Sequence, residues 1–175
     1  GEIRNGFALV RPPGHHSMRV SHGNRGFCNI NNEAIMVDYL RHHYKVKRIA
    51  IVDTDVHHGD GTQEIFWHDP DVLFISFHQD GRTLYPGTGF IDEIGGPLAQ
   101  GYTLNIPLPP GTGDQGILYV LDNLVLPVLK EFNPELVVNS AGQDNHYSDP
   151  LANMRFTARG YAELNRRLAP DIAVL

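Results

Sequence analysis

Apolar residues along this chain gather into short unbroken runs, separated by longer segments of mixed polarity. Ile49-Ala50-Ile51-Val52-Asp53, Val72-Leu73-Phe74-Ile75-Ser76-Phe77 and Leu136-Val137-Val138-Asn139-Ser140-Ala141 are the clearest runs. None alternates with polar residues before its end, which is how strands covered on both faces read. Phe7-Ala8-Leu9-Val10, Tyr102 to Pro107 and Asp171 to Leu175 read as further strands. Between the runs, Asn32 to His43 sets Ala34, Ile35, Val37 and Leu40 at helical spacing. Gly116 to Phe132 does the same with Leu118, Leu121, Leu124, Val125 and Val128, and its internal Pro127 predicts a kink or break. Thr62 to Trp67 predicts a helical turn or two, and Thr157 to Leu168 a helix capped by Thr157. Strands alternating with helices predict an α/β domain of three layers, α/β/α, around a mainly parallel sheet. Residues 1–175 read as a single domain, without internal repeat or linker.

Composition narrows the function. A 41% hydrophobic, 19% charged chain of 175 residues is ordinary for a globular domain with a real core. The net charge is −6 and no Lys/Arg cluster occurs, which argues against direct nucleic-acid binding. No apolar stretch reaches the roughly 18 residues that span a bilayer, and no signal peptide is visible, so a cytoplasmic protein is expected. The single Cys28 excludes an intrachain disulfide and a Cys-rich zinc site. It reads as a small buried residue. The chain opens without Met and stops within an apparent strand, so both ends read as internal to a longer domain. A sheet cut short would expose edges and apolar surface, which favours a homo-oligomer.

Chemistry concentrates where the strands end. Arg11-Pro12-Pro13-Gly14-His15-His16, Asp53-Thr54-Asp55-Val56-His57-His58-Gly59-Asp60-Gly61, Ser76-Phe77-His78 and Ala141-Gly142-Gln143-Asp144 each follow an apolar run. In a parallel sheet these ends share one edge, where open α/β sheets bind ligands. Asp53, Asp55 and His57 stand at i, i+2 spacing, which in a strand turns three polar side chains to one face. Two carboxylates and an imidazole are metal-ligand chemistry, and Asp144 is a candidate third ligand beside Asp55 and His57. Three protein ligands leave a position open for water, as in hydrolytic metal sites. His15 and His16 are candidates for proton transfer, with Asp53 and Asp60 to orient them. His58 falls outside the strand register and reads as structural, while His42, His43, His68 and His146 read as surface residues.

The Arg-Pro-Pro-Gly-His-His motif, Gly26-Phe27-Cys28-Asn29-Ile30-Asn31-Asn32, the Asp53–Gly61 run and Tyr85-Pro86-Gly87-Thr88-Gly89, in this order, resemble the histone deacetylase superfamily. Bacterial histone deacetylase-like, acetoin-utilisation and acetylpolyamine amidohydrolase relatives belong to it. The resemblance runs from Val10 to about Asp149 and implies an arginase/deacetylase-like fold. It implies that Asp55, His57 and Asp144 bind Zn²⁺, although a His and two carboxylates suit Fe²⁺ equally. It pairs His15 with Asp53 and His16 with Asp60, with His16 as the general base and acid. Phe27 and Tyr85 match the walls of an acyl-lysine tunnel, and Gly26 a glycine whose carbonyl meets the substrate amide. Asp53, Asp55, His57, Ser76 and Phe77 match a structural site for K⁺ or Na⁺; Phe66, Asp69, Val72 and Tyr102 match a second. The implied reaction is hydrolysis of an acetyl-lysine or related N-acetyl amine by metal-activated water.

Two other readings are open. Asp-x-Asp-x-His also resembles the binuclear hydrolases of the arginase-type fold, but the next acid after Asp144 is Asp149, too distant to bridge two metals. The family also places a transition-state Tyr in a Gly-Gly-Tyr-like loop after its last strand. No Tyr matches that position here, and Tyr147 and Tyr161 fall elsewhere. A metal-binding chain with weak or no catalysis, serving as an interaction module, is therefore the alternative to a deacetylase.

Overall fold

The computed structural model describes residues 6–20 and 23–168. Among the described residues ten helical and strand elements follow one another: α1 (Asn32–Tyr44), β1 (Ile49–Asp53), α2 (Asp60–Phe66), β2 (Val72–Gln79), β3 (Thr103–Leu108), α3 (Asp114–Val120), a π-helical turn (Leu121–Val125), α4 (Leu126–Phe132), β4 (Leu136–Ser140) and α5 (Ala158–Leu168). The strands form one parallel sheet in the order β3-β2-β1-β4. Every residue of β1 and β2 is buried, as unbroken apolar runs require.

Strand alternation sorts these residues between two cores. Ala50, Val52, Leu73, Ile75 and Phe77 face α3, the π turn, α4 and α5, packing with Ile117, Leu121, Val125, Leu164 and Leu168. Ile49, Ile51, Val72, Phe74 and Val138 face the other way, against Val37 of α1 and Phe66 of α2. Helices on both faces give the expected three layers. Asp53, the last residue of β1, belongs to the α1–α2 side by the same alternation.

The helix ends follow local chemistry. Asn31 caps α1 by accepting from the Ala34 N–H at 2.9 Å, and Lys45 closes it in a left-handed conformation at φ 60°. Thr157 caps α5 as expected: its Oγ1 accepts from the Gly160 N–H at 3.2 Å. Pro127 marks a division of its helix, as expected: it stands in the first turn of α4. The turn before it widens to π geometry, with the Leu126 N–H donating to the Leu121 carbonyl.

The run Phe7–Val10 is not a strand. Its residues are exposed and pair with no strand among the described residues. It is too short to hold itself in a sheet, and Pro12 and Pro13 end it with no N–H to offer a neighbour. Instead it borders a cavity of about 600 Å³ with Met36, Val138, His15 and Asp55. The strand expected at Asp171–Leu175 lies outside the described residues. No helix among the described residues is long and apolar enough to cross a membrane.

Candidate active site

The sheet order places β2 on one side of β1 and β4 on the other, so the chain reverses its direction of travel between β1 and β4. Ligand crevices open at such points, beyond the carboxyl ends of the strands. Backbone and side-chain bonds clamp the two loops there. Thr54 N–H donates to the Ser140 carbonyl at 2.9 Å, and its hydroxyl to Asn139 Oδ1 at 2.9 Å. Asn145 Nδ2 donates to the Thr54 carbonyl at 2.9 Å, and Val56 N–H to Asp144 Oδ1 at 3.1 Å.

Asp55, His57 and Asp144 meet at this clamp. Each offers one ligand atom, and the three atoms lie within 4.8 Å of one another. His57 Nδ1 is 3.0 Å from Asp55 Oδ1 and 2.9 Å from Asp144 Oδ2. Burial disfavours charge on His57, but its bonds to Asp144 and Asp55 outweigh that and raise it to about 9. Asp55 is held well below the usual carboxylate range, because the charges of His15 and His57 overcome the cost of burial. A partly exposed His₁Asp₂ set with nitrogen and oxygen donors converging fits a divalent transition metal with an open position.

Strand alternation does not explain this convergence. β1 ends at Asp53, and the next residues turn through bonds between side chain and backbone. Asp55 N–H donates to Asp53 Oδ1 at 3.1 Å, and His57 N–H to Asp55 Oδ1 at 2.8 Å. Successive Asp side chains satisfying the backbone two residues on are Asx turns. They keep the i, i+2 spacing productive after the strand has stopped.

Two His–Asp pairs stand beside the cluster. His15 Nδ1 bonds Asp53 Oδ2 at 2.8 Å, and His16 Nδ1 bonds Asp60 Oδ1 at 2.7 Å. All four side chains are buried. The rings of His15 and His16 lie 4.0 Å apart, and those of His16 and His57 5.9 Å. Burial opposes the charge on His15, but the carboxylates of Asp53 and Asp55 overcome it and raise the imidazole well above its ordinary range. Burial lifts Asp53 to about 6 against the pull of His15. His16 moves the other way: burial, joined by the nearby charge of His15, outweighs its bond to Asp60 and lowers it. With Nδ1 of His16 committed to Asp60, Nε2 is the ring nitrogen left for proton transfer.

Glycines set the walls of the site by close approach. A β-carbon on Gly26 would lie 2.1 Å from His16 Cδ2; one on Gly142 would lie 2.0 Å from Asp55 Oδ2. Gly26 and Phe27 occupy a tight turn closed by the Cys28 N–H on the Arg25 carbonyl at 2.8 Å, with φ of 51° and 64°. The turn leaves Phe27 75% exposed and Cys28 buried. Tyr85, 46% exposed, stands with its ring 5.1 Å from His16 and 6.3 Å from His57. Its loop is tied down by His58, which bonds Thr88 at 2.8 Å and Gln63 at 3.0 Å, and by His78, which donates to the Gly89 carbonyl at 2.9 Å. His42, His43 and His68 are exposed and His146 is half-buried.

Other expected residues occupy more ordinary surroundings. Ser76 pairs in register with Asp53 and bonds His78 through Oγ at 2.9 Å. Phe66, Asp69, Val72 and Tyr102 gather near the start of β2, where the Asp69 N–H donates to the Phe66 carbonyl and the Phe74 N–H to that of Tyr102. The Tyr161 hydroxyl donates to the Gln143 carbonyl at 2.9 Å, and Tyr147 is exposed. Arg25 was not among the expected site residues, yet its Nη2 lies 2.6 Å from Asp60 Oδ2. No spacing rule links residues 35 positions apart.

Comparison with known proteins places the chain in a family. The model of the histone deacetylase domain matches residues 1–171. A probable deacetylase of Archaeoglobus fulgidus is 55% identical over 166 residues, covering 95% of this chain and 45% of that protein. The chloroplastic histone deacetylase 14 of Arabidopsis thaliana is 46% identical over 170 residues, covering 95% of this chain and 39% of that protein. The chain thus spans less than half the length of these curated relatives. Among solved structures, the HDA15 HD domain superposes with a TM-score of 0.89 at 40% identity, over 98% of this chain and 51% of that one. An acetylpolyamine aminohydrolase from Burkholderia pseudomallei superposes with a TM-score of 0.88 at 38% identity, over 95% and 48%. With the family pattern matched from end to end of the described fold, this chain belongs to the histone deacetylase domain family.

Proposed function

We propose that this chain forms the metal-holding, proton-transferring part of a single catalytic domain that hydrolyses N-acetyl amines, either acetyl-lysine or a small acetylated amine. The observation that carries this reading is the His16–Asp60 pair, 2.7 Å between Nδ1 and Oδ1, standing beside the Asp55–His57–Asp144 cluster. Asp55, His57 and Asp144 would hold Zn²⁺ or Fe²⁺. Bound there, the ion supplies Lewis acidity toward the acetyl carbonyl and lowers the pKa of a coordinated water.

The residues of the chain supply the rest. His16 takes the proton of the attacking water at Nε2, while Asp60 steadies the imidazolium that results. It then returns that proton to the leaving amine. His15, sharing its proton with Asp53, places positive charge beside the developing oxyanion. Phe27 and Tyr85 flank the approach as apolar walls for an acyl chain, and the Gly26 carbonyl accepts from the substrate amide. Asp53, Asp55, His57, Ser76 and Phe77 would surround one K⁺ or Na⁺, and Phe66, Asp69, Val72 and Tyr102 a second, each stiffening a strand end.

The test is metal content and hydrolysis of an acetyl-lysine peptide and an acetylated polyamine, measured on the same preparation. Bound metal, turnover blocked by a hydroxamate and loss of both in Asp144→Ala are expected. His16→Ala should keep the metal and lose about 10²–10⁴ in rate. A second reading, a metal-binding interaction module, is favoured by the commitment of the Tyr161 hydroxyl to Gln143 and the outward position of Tyr147. Full metal occupancy without turnover of either substrate would select it.

A further inference from the structure

The turn that exposes Phe27 directs Arg25 inward. Residues 25 and 28 pair across it as an antiparallel bridge, and Arg25 is half-buried. Its Nη2 donates to Asp60 Oδ2 at 2.6 Å, and Nη1 rests 2.9 Å from Met18 Sδ. Asp60 is buried, and its two oxygens have different partners: Oδ1 faces His16 and Oδ2 faces Arg25. A lone His–Asp contact leaves such a carboxylate free to rotate about its last torsion, which is broad for Asp. A charge-assisted bond on the far oxygen removes that freedom. The guanidinium is also the one charged group on that oxygen among the described contacts, so it offsets the carboxylate where water is excluded.

We propose that Arg25 is a positioning residue of the His16–Asp60 pair: its guanidinium clamps Asp60 and thereby fixes the His16 ring with Nδ1–H toward the carboxylate and Nε2 toward the reaction. Arg25 touches neither substrate nor metal ligand in this role. Lysine is a poor replacement, since a single ammonium on a flexible stem restores the charge without the planar fork. The kinetic half of the proposal rests on the deacetylase reading, whereas the spectroscopic half stands without it.

The experiment compares wild type with Arg25→Gln and Arg25→Lys, using protein labelled with ¹⁵N in the histidine rings. His16 should show a downfield Nδ1–H resonance protected from exchange with water, assigned by its disappearance in Asp60→Asn. In Arg25→Gln that proton should exchange at least tenfold faster, and in Arg25→Lys by an intermediate factor. With metal content unchanged, kcat should fall about tenfold in Arg25→Gln at a KM within twofold, as is typical for outer partners of a catalytic group. Lys should restore part of it. An unchanged Nδ1–H resonance in Arg25→Gln overturns the proposal, whatever the activity. Altered exchange in a protein that hydrolyses no acetyl amine would uphold the clamp and overturn the deacetylase reading instead. Should Arg25→Gln fail to fold, the Arg25→Lys spectrum decides alone.

Discussion

Phe27 is a bulky residue at φ 64°, where a β-carbon crowds the following carbonyl. The cost is about 1–2 kcal/mol, and strain of this kind concentrates at functional sites. Phe27→Gly should therefore be about 1 kcal/mol more stable than Phe27→Ala, although both lose the same exposed ring. Denaturant midpoints would show the difference, and both variants should raise KM. The neighbouring glycine is less forgiving. Gly26→Ala would drive a methyl into His16, and a 1 Å displacement of a proton-transfer group costs about 10²-fold. Steady-state kinetics at full metal occupancy should show this as a kcat defect. At this scale the grouping of Asp55, His57 and Asp144 was legible, because β1 and β4 are neighbours whose ends share one sheet edge, whereas His15 and His16 reach it from a segment that is not a strand. Arg25 was not legible, since its partner Asp60 is distant in sequence and only the positive-φ turn aims it.

Elements were legible where burial is two-sided. Uninterrupted runs identified β1, β2 and β4, and helical spacing placed α1 within one residue of its observed end. Phe7–Val10 misled because apolar content marks a strand only where a neighbour exists to pair with it. Pro127 did mark the division between α3 and α4, because a proline N–H is missing where the first turn of α4 needs none. The start of α5 carries a direct test. Thr157 caps Gly160, and it also ties to α3: its N–H donates to Asp114 Oδ1 at 2.8 Å and its hydroxyl to Oδ2 at 2.7 Å. Thr157→Val keeps the shape and removes the hydroxyl. It should cost about 1–2 kcal/mol, read as a lower denaturant midpoint at unchanged slope.

The whole molecule should be acid-sensitive through two buried imidazoles. Burial lowers His58 to about 4, and burial with the charge of His58 lowers His78 to about 3. Below their unfolded value of about 6.5 the unfolded chain takes up these protons first. Their stabilisation is thus complete above pH 6.5 and lost as pH falls toward 4 and 3, at up to about 1.4 kcal/mol per pH unit for each group. Asp53, lifted to about 6, acts with opposite sign between pH 6 and 4. Comparing wild type with His78→Asn at pH 7.5, 6 and 5 isolates one histidine: the gap should shrink on acidification.

The order β3-β2-β1-β4 also has a consequence in time. Asp144 bonds Val56 across 88 positions, so the last donor of the cluster leaves the ribosome long after Asp55 and His57. At ordinary rates of synthesis the interval is on the order of ten seconds. Throughout it Asp55 and His57 stand without the third member of the cluster. Only the arrival of β4 beside β1 brings Asp144 to the other two, so the three-residue cluster is completed late in synthesis.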